Sequence, residues 1–168
     1  YWDDQKYLYI FLFTMKSKNI KKFIFNISIS YKDKPFIISS KFSLSYKQFF
    51  SLVDSSLKEM IKKYQPGERV AILSANCPEY LILLFAMWRL KIIPVLINTR
   101  WPEDYISENL QKIKCNHIIA SKKFASPKIK RIKIDSLENL IEISDSSLSS
   151  FQPAPVEYDL NGFASIVF

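Results

Sequence analysis

Glycine is nearly missing from this chain: there are two in 168 residues, where a domain of that size carries about a dozen. Gly67 follows Pro66 and Gly162 follows Asn161, so both read as turn residues and neither belongs to a glycine-rich phosphate loop. Histidine is scarcer still. The single one, His117, argues against a histidine-based metal site and against a Ser–His or Cys–His couple, and it is expected to face solvent at a strand start. Cys77 and Cys115 stand alone, without a C-x-x-C pair. That spacing speaks against zinc or a disulfide framework and fits a reducing cytoplasm. Long apolar runs are absent too. Tyr7–Phe13 is far too short to span a bilayer. The stretch 80–97 carries Arg89 and Lys91 near its middle, each costing about 2.5–3.5 kcal/mol there.

What is present points to a packed domain. The chain is 48% hydrophobic and 15% aromatic, which excludes disorder and gives enough apolar surface for a real core. The net charge of +8 comes from lysines scattered among Ile, Phe, Ser and Asn. Scatter of this kind reads as a solvated surface rather than a nucleic-acid footprint.

Residues 66–98, PGERVAILSANCPEYLILLFAMWRLKIIPVLIN, organise the rest. A Pro-Gly turn launches the apolar run 69–74, a strand buried on both faces. An apolar helix follows, with Asn76 expected to cap it, Pro78 in its first turn, and Glu79 completing a capping box. Residues 92–97 then read as the return strand, closing a βαβ unit. Cys77 sits at the helix start, where a dipole can activate a thiol, but a small partly buried residue is the favoured reading.

Upstream, Met15 is expected to be the biological start, with residues 1–14 an upstream or non-native leader. A short helix is expected over 20–31, broken by Pro35, and a β-hairpin over 36–44. Ser45 and Gln48 have capping-box spacing for a helix running to about Tyr64, with Phe49, Val53, Leu57, Met60, Ile61 and Tyr64 on its buried face. Downstream, Pro102 opens a helix that buries Ile106, Leu110 and Ile113, and residues 117–120 form a third strand. An edge strand is expected around 129–134, then a short helix over 135–143 capped by Asp135 or Ser136. A Ser- and Pro-rich connection over 144–158 leads to an apolar strand over 163–168. The order β, α, β, α, β predicts an α/β fold: a mostly parallel sheet with helices on both faces and right-handed crossovers.

The succession of Ser45-Tyr46 before a long helix, Gly67-Glu68-Arg69-Val70-Ala71 entering a strand, Asn76 and Glu79 at the next helix, and Pro94 with Asn98-Thr99-Arg100 after the second strand resembles the N-terminal subdomain of the acyl-adenylate-forming acyl-CoA synthetases. The likeness runs from about Phe36 to Phe168. One departure is Lys91, where the family usually has glycine, so the turn there must differ or carry strain. The resemblance implies that residues 15–168 are the incomplete N-terminal part of an AMP-binding ligase domain. It also implies that a phosphate loop follows the final strand.

In the implied reaction a small carboxylic acid attacks the α-phosphorus of ATP to give an acyl-adenylate and pyrophosphate, and the thiol of coenzyme A then displaces AMP to give a thioester. ATP, Mg2+ and coenzyme A would be held by groups outside this chain, and the remainder of the ligase polypeptide would be its partner. No residue here is therefore assigned a catalytic, cofactor-binding or metal role; Tyr46, Asn98 and Arg100 are assigned no substrate role, and Arg100 reads as a turn-fixing loop residue. A non-catalytic Rossmann-like binding module and a decayed remnant are the rival readings. The first is weakened by the glycine-free turn 74–77.

Overall fold

The computed structural model describes residues 29–38, 43–125, 129, 132–141, 143 and 166–167. The leader 1–14, most of the helix expected over 20–31 and the connection 144–158 lie outside them. Strands β1 (Pro35–Ile38) and β2 (Ser43–Ser45) pair antiparallel as a small hairpin. Helix α1 (Tyr46–Met60) follows directly, with the Ser45/Gln48 capping box formed. The Gln48 N–H donates to Ser45 Oγ (3.2 Å) and the Ser45 N–H to Gln48 Oε1 (2.8 Å). The main sheet holds β3 (Arg69–Leu73), β4 (Ile93–Leu96), β5 (His117–Ala120), β6 (Lys133–Ser136) and β7 (Ile166–Val167), in the order β6-β5-β3-β4-β7. All four pairings are parallel.

The crossovers explain the two cores. Helix α2 (Pro78–Arg89) joins β3 to β4 and packs with α1 on one face; helix α3 (Glu103–Lys112) joins β4 to β5 on the other. Alternation along β3 divides its side chains between them, because successive residues point to opposite faces. Val70 and Ile72 enter the α1–α2 core, and Ala71 and Leu73 enter the α3 core. Both cores are dry at β3, where Val70, Ala71 and Ile72 are fully buried. Phe49 anchors the first core, its ring 4.5 Å from Phe36 and 5.2 Å from both Phe50 and Phe85. Such pairs add about 0.5–1.5 kcal/mol each beyond their buried area. Arg89 on α2 makes an ion pair with Asp54 on α1 and so ties the two helices together.

Several expectations need correction. Helix α2 begins at Pro78, its N-cap is Cys77, and no side chain caps it. A residue before proline is driven out of the helical region, and Cys77 is accordingly extended at φ −150°, which leaves Asn76 one position too early. Helix α1 ends at Met60, and Ile61 is 63% exposed rather than buried. The edge strand starts at Lys133, not near Ile129, and Asp135 lies inside it. The short helix α4 (Leu137–Leu140) therefore follows Ser136, whose hydroxyl bonds Glu138 rather than capping the backbone. Lys91 keeps the left-handed turn at φ 58°, and Lys114 repeats it at φ 54° before β5.

Candidate functional site

In a doubly wound sheet, ligands gather outside the carboxyl ends of the strands, where successive crossovers leave in opposite directions. Here that edge is built by three loops. The loop after β3 closes on itself: Ser74 Oγ donates to the Ala75 carbonyl (3.0 Å) and lies 3.7 Å from Cys77 Sγ. The loop after β4 is a tight turn in which the Arg100 N–H donates to Asn98 Oδ1 (3.0 Å) and the Trp101 N–H to the Asn98 carbonyl (3.1 Å). Asn98, not Arg100, thus fixes the turn by the asparagine mimicry of a backbone acceptor. The loop after β5 turns at Ser121, whose carbonyl accepts from the N–H groups of Phe124 (2.8 Å) and Ala125 (3.0 Å). Glu138 pins it by accepting the Lys122 N–H (2.9 Å).

Two neighbourhoods result. On one side β7 lies against β4 in parallel register, Val95 opposite Ile166 and Leu96 opposite Val167, so Val167 ends level with the β4 loop. On the other side, between the β5 loop and the start of α3, is a cleft of about 330 Å³ bounded by Leu73, Thr99, Trp101, Glu103, Lys123 and Phe124. Sequence reasoning missed this cleft, since its walls come from the end of β3, the β4 loop with the start of α3, and the β5 loop, which are distant in sequence.

The residues weighed as chemical candidates have structural work. His117 is not solvent-facing: its ring packs 5.5 Å from that of Tyr64, and its side chain is 21% exposed. Its Nδ1 lies 2.8 Å from Glu68 Oε1, off the line a hydrogen bond needs, so the contact is ionic only when the ring is protonated. Tyr64 donates to Asp135 Oδ2 and Lys63 to Asp135 Oδ1, both at 2.7 Å. Burial, and then the Asp135 carboxylate, push the Tyr64 phenol far up. The Cys115 thiol is buried, donates to the Arg69 carbonyl (3.2 Å), and is pushed up to about 11 chiefly by burial. Burial likewise raises Cys77, so its place at a helix start does not produce a thiolate. Tyr46 serves the hairpin, its ring 4.6 Å from Phe36.

A triphosphate needs backbone that can approach it closely and a metal needs a cluster of donors. The turn 74–77 contains no glycine, and no group of three or more His, Cys, Asp or Glu among the described residues is placed to hold a metal. The described residues do not fit ATP or Mg2+. Among the described residues, no helix is long and apolar enough to cross a membrane.

The fold is therefore an α/β subdomain built on a parallel sheet with helices on both faces. Residues 28–163 match the family of AMP-binding enzymes, and the chain belongs to that family. A similar curated protein is the 2-succinylbenzoate–CoA ligase of Oceanobacillus iheyensis, 27% identical over 103 residues, which are 60% of this chain and 22% of that protein. Among solved structures, the o-succinylbenzoate CoA synthetase MenE of Bacillus subtilis, in complex with the acyl-adenylate intermediate OSB-AMP, superposes with a TM-score of 0.69 at 13% identity. That match covers 84% of this chain and 37% of the other. The N-terminal subdomain of Klebsiella oxytoca NpsA gives a TM-score of 0.66 at 20% identity, covering 79% of this chain and 34% of the other. The chain thus spans about a fifth of the curated relative's length, 22%, and at these identities the structural likeness establishes the fold.

Proposed function

We propose that this chain is the N-terminal portion of an ATP-dependent carboxylic acid–CoA ligase, with o-succinylbenzoate as its acid and menaquinone synthesis in the cytoplasm as its setting. The observation that carries the reading is the parallel seating of β7 on β4 at Val95–Ile166 and Leu96–Val167. A strand so placed delivers whatever follows it to the carboxyl edge, where an adenylate-forming enzyme needs its phosphate loop. The choice of acid is supported by the similarity to the Oceanobacillus ligase and by the fold shared with MenE, which has been solved with ATP and magnesium. ATP, Mg2+ and coenzyme A are assigned to the remainder of the ligase polypeptide. The present residues contribute the sheet and the rigid β4 turn against which such a loop is held.

A second acid class has its own support. NpsA, solved as an N-terminal subdomain with 3-hydroxybenzoyl-AMSN, has the same fold, which favours a simpler aryl acid; a fatty acid is the remaining alternative. The test begins by reading the coding DNA in frame past Phe168 and expressing the polypeptide it encodes. Exchange of labelled pyrophosphate into ATP is then measured with o-succinylbenzoate, 3-hydroxybenzoate and octanoate in turn. Exchange dependent on o-succinylbenzoate is expected. Exchange with only one of the other acids would move the substrate, and none with any acid would leave a binding module or remnant. Residues 1–168 alone are expected to show no exchange.

A further inference from the structure

The cleft beside β5 carries two opposite charges that are not paired with each other. Its floor is apolar: Leu73, Ile106 and Ile129 are all at least 95% buried. Two aromatic rings wall it, Trp101 and Phe124, both partly exposed. Trp101 is held edge-on by Tyr105, ring centres 5.0 Å apart. Glu103 and Lys123 bring opposite charges to this same cleft, which Thr99 also lines. Among the described residues neither charge is in an ion pair, with the other or with any third group, although Lys62–Glu59, Lys63–Asp135 and Arg89–Asp54 all close. The Lys123 ammonium sits instead 5.6 Å from the centre of the Phe124 ring. Two unpaired opposite charges lining an aromatic-walled cleft complement a molecule that carries both signs and a ring.

We propose that this cleft binds a small aromatic zwitterion of the α-amino acid class. The ring lies between Trp101 and Phe124 over the apolar floor, the ammonium faces Glu103, and the carboxylate faces Lys123 and Thr99. The volume of about 330 Å³ suits a ligand of that size, at the small end of the range for small-molecule sites. The place suits one as well, because the loops after β4 and β5 that wall the cleft lie at the carboxyl ends of the parallel strands. The assignment does not use the β4–β7 pairing that carries the ligase reading, although Thr99 and Trp101 belong to the β4 turn.

The test is equilibrium dialysis of labelled L-phenylalanine against the chain, with phenylacetate and phenethylamine as single-charge competitors. Saturable one-site binding is expected, with both competitors weaker than L-phenylalanine. Glu103→Gln and Lys123→Met are each expected to weaken binding about fivefold, the value of one partly exposed ion pair, while Lys112→Met on the exposed last turn of α3 changes nothing. Both substitutions replace partly or fully exposed side chains, and circular dichroism confirms that the variants are folded. Absence of saturable binding up to about 10 mM would overturn the proposal. So would unchanged affinity in Glu103→Gln and Lys123→Met, or competitors that bind as well as L-phenylalanine, since a merely greasy cleft ignores charge. Pyrophosphate exchange is read separately, so failure here leaves the ligase reading standing.

Discussion

Replacing Lys91 by glycine should stabilise the protein. Lys91 occupies the left-handed region at φ 58°, where a side chain crowds the following carbonyl at a cost of roughly 1–2 kcal/mol. The turn cannot relax around it. The Lys91 N–H donates to the Trp88 carbonyl (3.1 Å), the Ile92 N–H reaches back to Met87 (2.9 Å), and the Lys91 carbonyl accepts from Gly67 (2.7 Å). Glycine removes the crowding but adds about 0.5–1 kcal/mol of unfolded-state entropy, leaving a net gain of about 0.5–1 kcal/mol. The lysine is exposed, so its removal costs little buried area, although its charge complements the carboxyl end of α2 by a few tenths of a kcal/mol. Lys91→Ala isolates that charge, because alanine keeps the Cβ and therefore the strain.

Urea unfolding is the assay, compared at equal m-value. Lys91→Gly should exceed Lys91→Ala by about 1 kcal/mol. Lys114, at φ 54°, sits in the matching turn before β5, two strand spacings or about 10 Å across the sheet. The double glycine variant should therefore show the sum of the two gains. Equal stability of Lys91→Gly and Lys91→Ala would refute the argument, because the left-handed backbone would then carry no strain.

Asp54→Ala strands the Arg89 guanidinium, whose side chain is 13% exposed, and should cost about 1–3 kcal/mol, below the range for a fully buried pair because Asp54 is partly solvated. Asp54→Leu combined with Arg89→Met should recover most of that loss in the same unfolding assay. Asp135 gives an acid limb. Burial raises its carboxyl, but hydrogen bonds from Lys63 and Tyr64 and the charges of Lys63 and Lys133 outweigh it and hold the group below its usual value. A depressed folded-state pKa stabilises fully above the unfolded value of about 4, and the gain is lost as pH falls through the folded value. Asp135→Asn should therefore flatten stability below about pH 4 and lower it at neutral pH. Both thiols should resist iodoacetamide at neutral pH, Cys115 more than Cys77, because burial raises both; alkylation of Cys77 at the rate of free cysteine would contradict its half-buried setting.

Local signals account for much of this architecture. The capping box at Ser45 and Gln48 lies within four residues, so its start signal was legible in the chain and α1 begins where it says. The apolar runs at 69–73, 93–96 and 117–120 could be read as parallel strands because strands covered on both faces must be apolar throughout. The errors have local causes of a different kind. Asn76 lost the cap of α2 to the restriction that Pro78 places on Cys77. Ile61 and His117 were misjudged because helical or strand phase says which way a side chain points but not what lies there.

The order of secondary structure, the buried strands and the family likeness were determined by the sequence alone, since each depends on residues close together in the chain. The sheet order β6-β5-β3-β4-β7, the seating of β7 on β4 and the meeting of Thr99, Glu103 and Lys123 around one cleft were decided only by the tertiary structure. Strand neighbours and loop contacts are long-range choices, selected by which packing buries both faces of β3 at once. No stretch of sequence records that selection by itself.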